Sequence, residues 1–202
     1  MSTFRNFRAK VVDVDQMNVL DQHVDVATDD GTMGTYVARP ADQGPHPVVL
    51  FLMDAPGKRE LLHSMARRLA AGGYYVMLPN LYYRDTDAFE LDFSSKESFA
   101  QMSELMRGVG NRMVGRDAGA LLAYAHAAGE AAAARVGVVG YCMSGPFAVW
   151  VAAEHADRVR AAASFYGVRL HVDSADSPHL RLGELTGELY VAAAEHDDYV
   201  PL

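Results

Sequence analysis

The sequence predicts an α/β fold in which a mostly parallel sheet is covered by helices on both faces. Short apolar runs alternate with segments of helical periodicity from residue 48 onward, an order typical of parallel strands joined by crossover helices. The run at 48–53 is continuously apolar, as expected for a strand covered on both faces. The chain has 202 residues, enough for a large core, so we expect residues 1–202 to form a single domain.

Each predicted element follows from its local pattern. Alternating residues on both sides of an Asp-Gly turn predict a hairpin, and apolar residues at helical spacing predict crossover helices. Polar residues between these elements predict loops. The loop at 84–99 has room for a short helix, and a loop in this position often serves as a lid. In chain order we predict strands 23–27 and 33–39, strand 48–53, helix 60–71, strand 74–78, loop 84–99, helix 113–130, strand 135–139, helix 147–153, strand 161–166, loop 171–188 and strand 189–194.

Composition narrows the functional classes. The net charge of −8 argues against nucleic-acid binding, which requires a basic face. A single cysteine allows no internal disulfide, the N-terminus lacks the apolar stretch of a secretory signal, and no run approaches the ~18 apolar residues of a membrane helix. These features predict a cytoplasmic protein with no membrane partner. No Cys or His cluster has ligand spacing and no Gly-rich phosphate loop occurs, so the sequence implies no metal and no cofactor.

The single cysteine lies at the junction of a predicted strand and a predicted helix. Cys142 belongs to the segment Gly-Tyr-Cys-Met-Ser-Gly at 140–145, whose small residues permit a sharp turn. A nucleophile on such a turn is the nucleophile elbow of α/β-hydrolases, here with Cys in place of Ser. The helix N-terminus behind it is expected to favour the thiolate. Two alternatives stay open, a buried structural cysteine and Ser144 as the nucleophile.

A carboxylate is expected to complete the site. Asp197 comes 55 residues after Cys142 and follows the last predicted strand, the place where such a site has its acid. Its role would be to orient a histidine and to stabilise the imidazolium. Asp198 is an adjacent competitor, and a plain turn aspartate is the structural alternative. A histidine is expected after the acid, yet all eight histidines of the chain precede Asp197.

Polar residues follow several of the predicted strands. Ligands of open α/β sheets bind at the carboxyl ends of the strands. The residues gathered there are Asp54, Arg84, Cys142, Tyr166 and Asp197. We therefore expect these side chains to contribute to one site.

Four segments together resemble the dienelactone hydrolase family of the α/β-hydrolase fold. They are 48–57, which resembles the first central strand and oxyanion loop, 73–84, 140–145 and 197–201. The family pattern has Asp where this chain has Asn80, and commonly Gly where it has Ser144. The resemblance runs from about Val24 to the end of the sequence. In that family a histidine, a final strand and a last helix follow the acid, so we expect the native chain to continue past Leu202.

The resemblance also implies a role for each matching residue. Cys142 is the nucleophile and Asp197 the acid of a Cys-His-Asp triad. The backbone N–H groups of Ala55 and Met143 form the oxyanion hole.

Three further matching positions would contact the substrate or the thiol. Arg84 falls where the family binds a substrate carboxylate, a role that suits a bidentate guanidinium. A surface salt bridge with Asp85 or Asp87 is the alternative for Arg84. Asp54 falls where the family often has a glutamate that touches the resting thiol, and Tyr166 follows the strand after the elbow helix.

The predicted function is hydrolysis of an ester or lactone, of the dienelactone or carboxymethylenebutenolide type, that carries a carboxylate. Two other classes remain as alternatives. One is a non-catalytic or degenerate α/β-hydrolase, and the other is a thiol redox or sensor protein that uses Cys142. With no strand after it, segment 189–194 is also expected to form an exposed apolar edge.

Overall fold

The computed structural model describes residues 18–197, which form a sheet of seven strands with α-helices and short 3-10 helices between them. The strands are β1 (Val19–Thr28), β2 (Gly31–Pro40), β3 (His46–Leu52), β4 (Tyr75–Pro79), β5 (Ala131–Tyr141), β6 (Val159–Phe165) and β7 (Glu188–Ala192). The α-helices are α1 (Glu60–Ala71), α2 (Lys96–Gly108), α3 (Asn111–Ala127) and α4 (Gly145–Glu154), and the 3-10 helices are Cys142–Ser144 and Pro178–Glu184.

The strand order is β1-β2-β4-β3-β5-β6-β7. The β1–β2 and β2–β4 pairs are antiparallel, whereas β3 pairs in parallel with β4 and β5, and β6 pairs in parallel with β5 and β7. The predicted mostly parallel sheet is therefore confirmed. An N-terminal hairpin extends it on one side, as the Asp-Gly turn between β1 and β2 predicted.

The helices lie on both faces of the sheet. The step from β3 through α1 to β4 runs in one direction along the sheet, and the steps that lead to β5 and then β6 run in the other. Right-handed crossovers that run in opposite directions place their helices on opposite faces, so α1 lies on one face and α3 and α4 on the other. Consistent with this, α3 and α4 pack against each other.

The core is centred on β3 and β4. All five residues of β4 are buried, and Leu50, Phe51 and Leu52 of β3 are fully buried. Helix α1 covers this region with Leu62, Ala66 and Ala70, whose spacing of four residues places them on one face. The continuous apolar runs that predicted covered strands are confirmed here.

Helix α2 was not predicted as such: the sequence predicted a loop with room for a short helix over 84–99, and nothing was assigned to 100–112, where most of α2 lies. The helix begins after Ser95, whose hydroxyl accepts a hydrogen bond from the Ser98 N–H. Its only buried residue is Leu105, so its apolar stripe is too narrow to be recognised from periodicity. The predicted helix 113–130 begins two residues after the start of α3 and ends three residues after its end. The start was missed because the N-cap position of α3 is Gly110, which has no side chain to cap the helix.

Strand β7 lies at an edge of the sheet within the described part of the chain. Tyr190 and Val191 are 60% and 48% exposed. The predicted exposed apolar edge is confirmed for these residues. No helix within residues 18–197 is both long and apolar enough to cross a bilayer.

Candidate active site

The predicted elbow forms between β5 and α4. Cys142 directly follows β5 and opens a 3-10 turn, and its φ of 52° lies in the left-handed region that a residue with a side chain rarely adopts. The turn is so tight that a Cβ at Gly140 would lie only 2.1 Å from the Ser144 carbonyl oxygen. The strained cysteine between a strand and a helix has the geometry of a nucleophile elbow.

Ser144 supports the elbow from inside the protein. Its side chain is fully buried, and Oγ donates to the Leu52 carbonyl at 3.0 Å and accepts from the Tyr141 N–H at 2.9 Å. These bonds tie the turn to the end of β3. The hydroxyl of Ser144 is thus engaged in structure and is not presented to a substrate.

The Cys142 thiol is half-buried, and burial raises its pKa. The Met143 backbone N–H acts in the opposite direction, and the charges of Asp54 and Asp197 raise the thiol pKa further. The backbone N–H at the start of the elbow turn favours the thiolate, as expected, but desolvation outweighs it and the net shift of the thiol pKa is upward. The thiol needs a base to become a nucleophile at neutral pH.

A tight turn at 54–57 faces the elbow from the end of β3. The Gly57 N–H donates to the Asp54 carbonyl at 3.2 Å, and Gly57 adopts a φ of 92°. A Cβ at Gly57 would lie 2.0 Å from the Phe89 carbonyl oxygen, so only glycine fits beneath the 84–95 segment. Within residues 18–197 the Ala55 N–H makes no hydrogen bond, which leaves it available as a donor.

Arg59 joins the site through Asp54, and the sequence analysis missed it. Its guanidinium holds both carboxylate oxygens of Asp54, at 2.6 Å and 3.0 Å, and also donates to the Gly57 carbonyl at 2.9 Å. Both side chains of the pair are mostly buried. The position of Arg59 two residues after Gly57 was the available signal, because a side chain five residues from Asp54 can fold back across that turn.

Tyr166 lies beside the elbow at the end of β6. Its φ of 40° is strained, its side chain is 46% exposed, and its ring centroid lies 5.8 Å from that of Tyr141. The Val168 N–H, two residues later, donates to the Cys142 carbonyl at 3.1 Å. Burial raises the pKa of Tyr166, and the charges of Asp54 and Cys142 add to the shift. Tyr166 and Asp54 are therefore near the nucleophile.

Asp197 is the last described residue and acts electrostatically on the Cys142 thiol, whose pKa it raises. The predicted acid is thus brought to the same end of the sheet as the predicted nucleophile. The competitor Asp198 and the remainder of the 197–201 motif lie outside the described residues.

Arg84 is engaged in a separate ion-pair network. It donates to Asp117 at 2.8 Å and 2.9 Å and to Asp30 at 2.6 Å and 2.9 Å. Asp117 is 2% exposed, and Arg84 also stacks over the Tyr83 ring at 4.4 Å. The suggested salt-bridge partners Asp85 and Asp87 were wrong, because β1–β2 and α3 bring Asp30 and Asp117 to this guanidinium instead.

The family comparison agrees with this geometry. A model of the dienelactone hydrolase family matches residues 33–202, most of the chain. This chain belongs to the dienelactone hydrolase family.

Within residues 18–197, no group of three or more His, Cys, Asp or Glu side chains is arranged to hold a metal ion.

Sequence relatives of this dienelactone hydrolase family member are longer than it is. A Methylorubrum extorquens protein named "Putative carboxymethylenebutenolidase" is 34% identical over 161 residues, which are 79% of this chain and 53% of the relative. A protein of the same name from Escherichia coli K12 is 30% identical over 152 residues, 72% of this chain and 52% of the relative. The chain therefore spans about half the length of these curated relatives.

Solved structures share the fold. A crystal structure described as a "Putative Dienelactone Hydrolase" from Klebsiella pneumoniae superposes with a TM-score of 0.78 and 24% identity, covering 91% of this chain and 75% of that one. A dienelactone hydrolase-like promiscuous phosphotriesterase from metagenomic libraries gives 0.70 and 22%, covering 91% and 72%. An acylaminoacyl peptidase from Pyrococcus horikoshii gives 0.62 and 15%, covering 88% and 32%. The family member thus has the α/β-hydrolase fold, which esterases and peptidases share.

Proposed function

We propose that the protein hydrolyses an ester or lactone, with Cys142 as the nucleophile. The observation that supports this most directly is the strained elbow at Cys142, which follows β5. The neighbouring strand β3 is followed by Ala55, whose N–H makes no hydrogen bond within residues 18–197. Family membership supplies the reaction class. The expected substrate is a small carboxylate-bearing ester or lactone of the carboxymethylenebutenolide type.

The proposed reaction has two stages. The Cys142 thiolate attacks the carbonyl carbon, and the electron pair of the C=O bond moves to oxygen, where the N–H groups of Ala55 and Met143 stabilise it. The tetrahedral intermediate collapses, the C–O bond breaks, and the leaving alkoxide takes up a proton. Water then attacks the thioester, releases the carboxylic acid and restores the thiol.

A base is required at both stages because burial raises the thiol pKa. In the proposed Cys-His-Asp triad, a histidine takes the thiol proton and later activates water, and Asp197 orients that histidine. We assign none of the described histidines to this role. Asp197 is suited to its part because its charge already acts on Cys142.

Substrate contacts are proposed for Tyr166 and Asp54 beside the nucleophile and for a guanidinium that binds the substrate carboxylate. For Arg84 to bind that carboxylate, it must give up hydrogen bonds to Asp30 or Asp117. Arg59 is a second candidate, because it lies next to Asp54 at the turn that faces the elbow. Arg59 is thus paired with Asp54, whose charge acts on Cys142, whereas Arg84 is held by Asp30 and Asp117.

Acylation of the chain tests the proposal. The protein is mixed with p-nitrophenyl acetate at mildly alkaline pH, the release of p-nitrophenolate is followed, and the acetyl group is located by peptide mass mapping. We expect one equivalent of rapid release and an acetyl group on Cys142, both of which are absent in Cys142→Ala. Acetylation of Ser144 instead, or equal release in the Cys142→Ala variant, would overturn the assignment.

The alternative of a thiol sensor is not favoured by the geometry. Sensor cysteines are usually exposed and have a low pKa, whereas burial raises the pKa of the Cys142 thiol. Acylation that persists after mild peroxide treatment would also count against that alternative. A folded chain that shows no acylation would favour the non-catalytic alternative.

A further inference from the structure

A buried tyrosine hydroxyl joins the two residues proposed for the oxyanion hole. Tyr82 is fully buried, and its hydroxyl donates to the Ala55 carbonyl at 2.9 Å. The same hydroxyl lies 3.3 Å from the Met143 sulfur. Ala55 belongs to the 54–57 turn after β3, and Met143 belongs to the elbow after β5. One side chain from the turn that follows β4 therefore contacts both halves of the site.

The Tyr82 backbone is itself held firmly. Its N–H donates to the Asn80 side-chain oxygen at 3.0 Å, and the Asn80 amide nitrogen donates to the carbonyls of Thr86 and Asp87 at 2.8 Å and 3.1 Å. Asn80 is 3% exposed. An aspartate here, as the family pattern usually has, would lack these two donors. Asn80 thus anchors Tyr82 and the following loop together.

The hydroxyl is protonated at all working pH values. Burial raises the pKa of Tyr82 well above its usual range, and the charges of Asp54 and Cys142 act in the same direction. The Ala55 carbonyl therefore always faces a donor. Among residues 18–197, the Tyr82 hydroxyl is the hydrogen-bond partner of this carbonyl.

We propose that Tyr82 is a positioning residue for the oxyanion hole. By holding the Ala55 carbonyl, its hydroxyl fixes the rotation of Ala55 and so the direction of the Ala55 N–H. Its contact with the Met143 side chain sets the spacing between this N–H and the elbow. The inference rests on the proposed function, since it assigns Tyr82 a role in stabilising the tetrahedral intermediate of ester attack.

Two reactions of the same thiol separate this role from a merely structural one. Iodoacetamide alkylates Cys142 by displacement at a saturated carbon and forms no oxyanion, whereas p-nitrophenyl acetate acylates it through an oxyanion. In Tyr82→Phe we expect acylation to slow by about 10- to 100-fold while alkylation changes by less than about two-fold. The informative quantity is the ratio of the two rate constants, measured on the chain as it stands.

Tyr75→Phe is the matched control, because Tyr75 is also a buried tyrosine but, among the described residues, makes no hydrogen bond to Ala55 or Met143. It should leave the ratio unchanged. Met143→Leu keeps the buried volume and removes the sulfur, so it should lower the ratio less than Tyr82→Phe does. This second variant tests the contact between the Tyr82 hydroxyl and Met143 even if Tyr82→Phe does not fold.

The outcomes distinguish the two proposals. If the ratio of acylation to alkylation rate constants is the same in Tyr82→Phe and Met143→Leu as in the wild type, the positioning role is overturned and Cys142 remains the nucleophile. A wild-type chain that is alkylated but never acylated overturns the proposed function and the Tyr82 role with it. A lowered ratio in Tyr82→Phe with an unchanged Tyr75→Phe supports both.

Discussion

The guanidinium of Arg59 holds both carboxylate oxygens of Asp54, the first residue of the 54–57 turn that faces the Cys142 elbow. The Asp54 charge raises the pKa of the Cys142 thiol. Arg59 offsets this charge from the other side of the carboxylate, so the pair as a whole perturbs the thiol less than Asp54 alone would. The relationship makes the reactivity of Cys142 depend on a residue that never touches it.

Opposite effects are expected from breaking this pair at its two ends. Arg59→Gln leaves the Asp54 charge unbalanced and raises the pKa of Cys142, so iodoacetamide alkylation at neutral pH should slow by roughly 3- to 10-fold. Asp54→Asn removes a charge that disfavours the thiolate and should speed alkylation. The measurement is the alkylation rate as a function of pH.

The double variant provides the control for this prediction. With Asp54→Asn in place, Arg59→Gln should still slow alkylation, because the guanidinium charge acts on the thiol whether or not Asp54 is charged. Slower alkylation in Asp54→Asn, or faster alkylation on adding Arg59→Gln to it, would contradict the electrostatic explanation.

Gly145 is expected to be essential for packing the elbow helix. A Cβ at this position would lie 2.4 Å from the Gly167 Cα and 2.5 Å from the Ser164 Oγ. Gly145→Ala should therefore lower the free energy of unfolding by about 2–3 kcal/mol. A thermal melt should show a fall in Tm of roughly 4–12 °C.

Gly119 is the matched control inside α3. A Cβ there meets its nearest neighbour, His155, at an ordinary 3.5 Å. Gly119→Ala should raise the free energy of unfolding by about 0.5–1 kcal/mol through helix propensity. Similar melting temperatures for the two variants would show that the close approach at Gly145 is not limiting.

Removing Arg84 should destabilise the fold. Arg84→Gln leaves the buried Asp117 carboxylate without its cation, which should cost about 2–4 kcal/mol of unfolding free energy. Urea unfolding measures the loss, and Arg84→Met combined with Asp117→Leu should recover part of it. If Arg84→Gln instead retains stability and loses reactivity only towards anionic esters, the network is secondary and Arg84 binds the substrate.

Stability should fall on mild acidification because of His63. Burial lowers the pKa of His63 below 6.5, and the charge of neighbouring His23 lowers it further. The unfolded chain then binds a proton more readily than the folded one, so stability is lost as pH falls below 6.5. His63→Phe keeps the stacking on Tyr36, whose ring centroid lies 4.2 Å away, and removes the titrating group.

The comparison is the unfolding free energy at about pH 7.5 and about pH 5.5. The decrease between these values should be smaller in His63→Phe than in the wild type. The charges facing His63, those of His23, Glu60 and Lys58, are common to both proteins. An equal decrease in the two proteins would remove His63 as a cause.

Local pattern alone determined much of this protein. Continuous apolar runs predicted β3 and β4, helical spacing predicted the bounds of α1, and small residues around Cys142 predicted the elbow. These features depend on neighbours in the chain, since side-chain periodicity and glycine at a tight turn are local requirements. The narrow apolar stripe of α2 is the local feature that periodicity missed.

Tertiary structure decided the pKa shift of the thiol and the long-range hydrogen bonds that hold the site in place. Tyr82 meets Ala55 and Met143 across 27 and 61 residues of sequence, and Arg84 meets Asp30 and Asp117 across 54 and 33. Burial, which only the packed sheet and helices create, raises the pKa of Cys142 and outweighs the opposite effect of the Met143 N–H. The sequence determined which residue stands on the elbow, whereas packing determined the direction of its pKa shift and its partners, because desolvation and long-range contacts exist only in the folded chain.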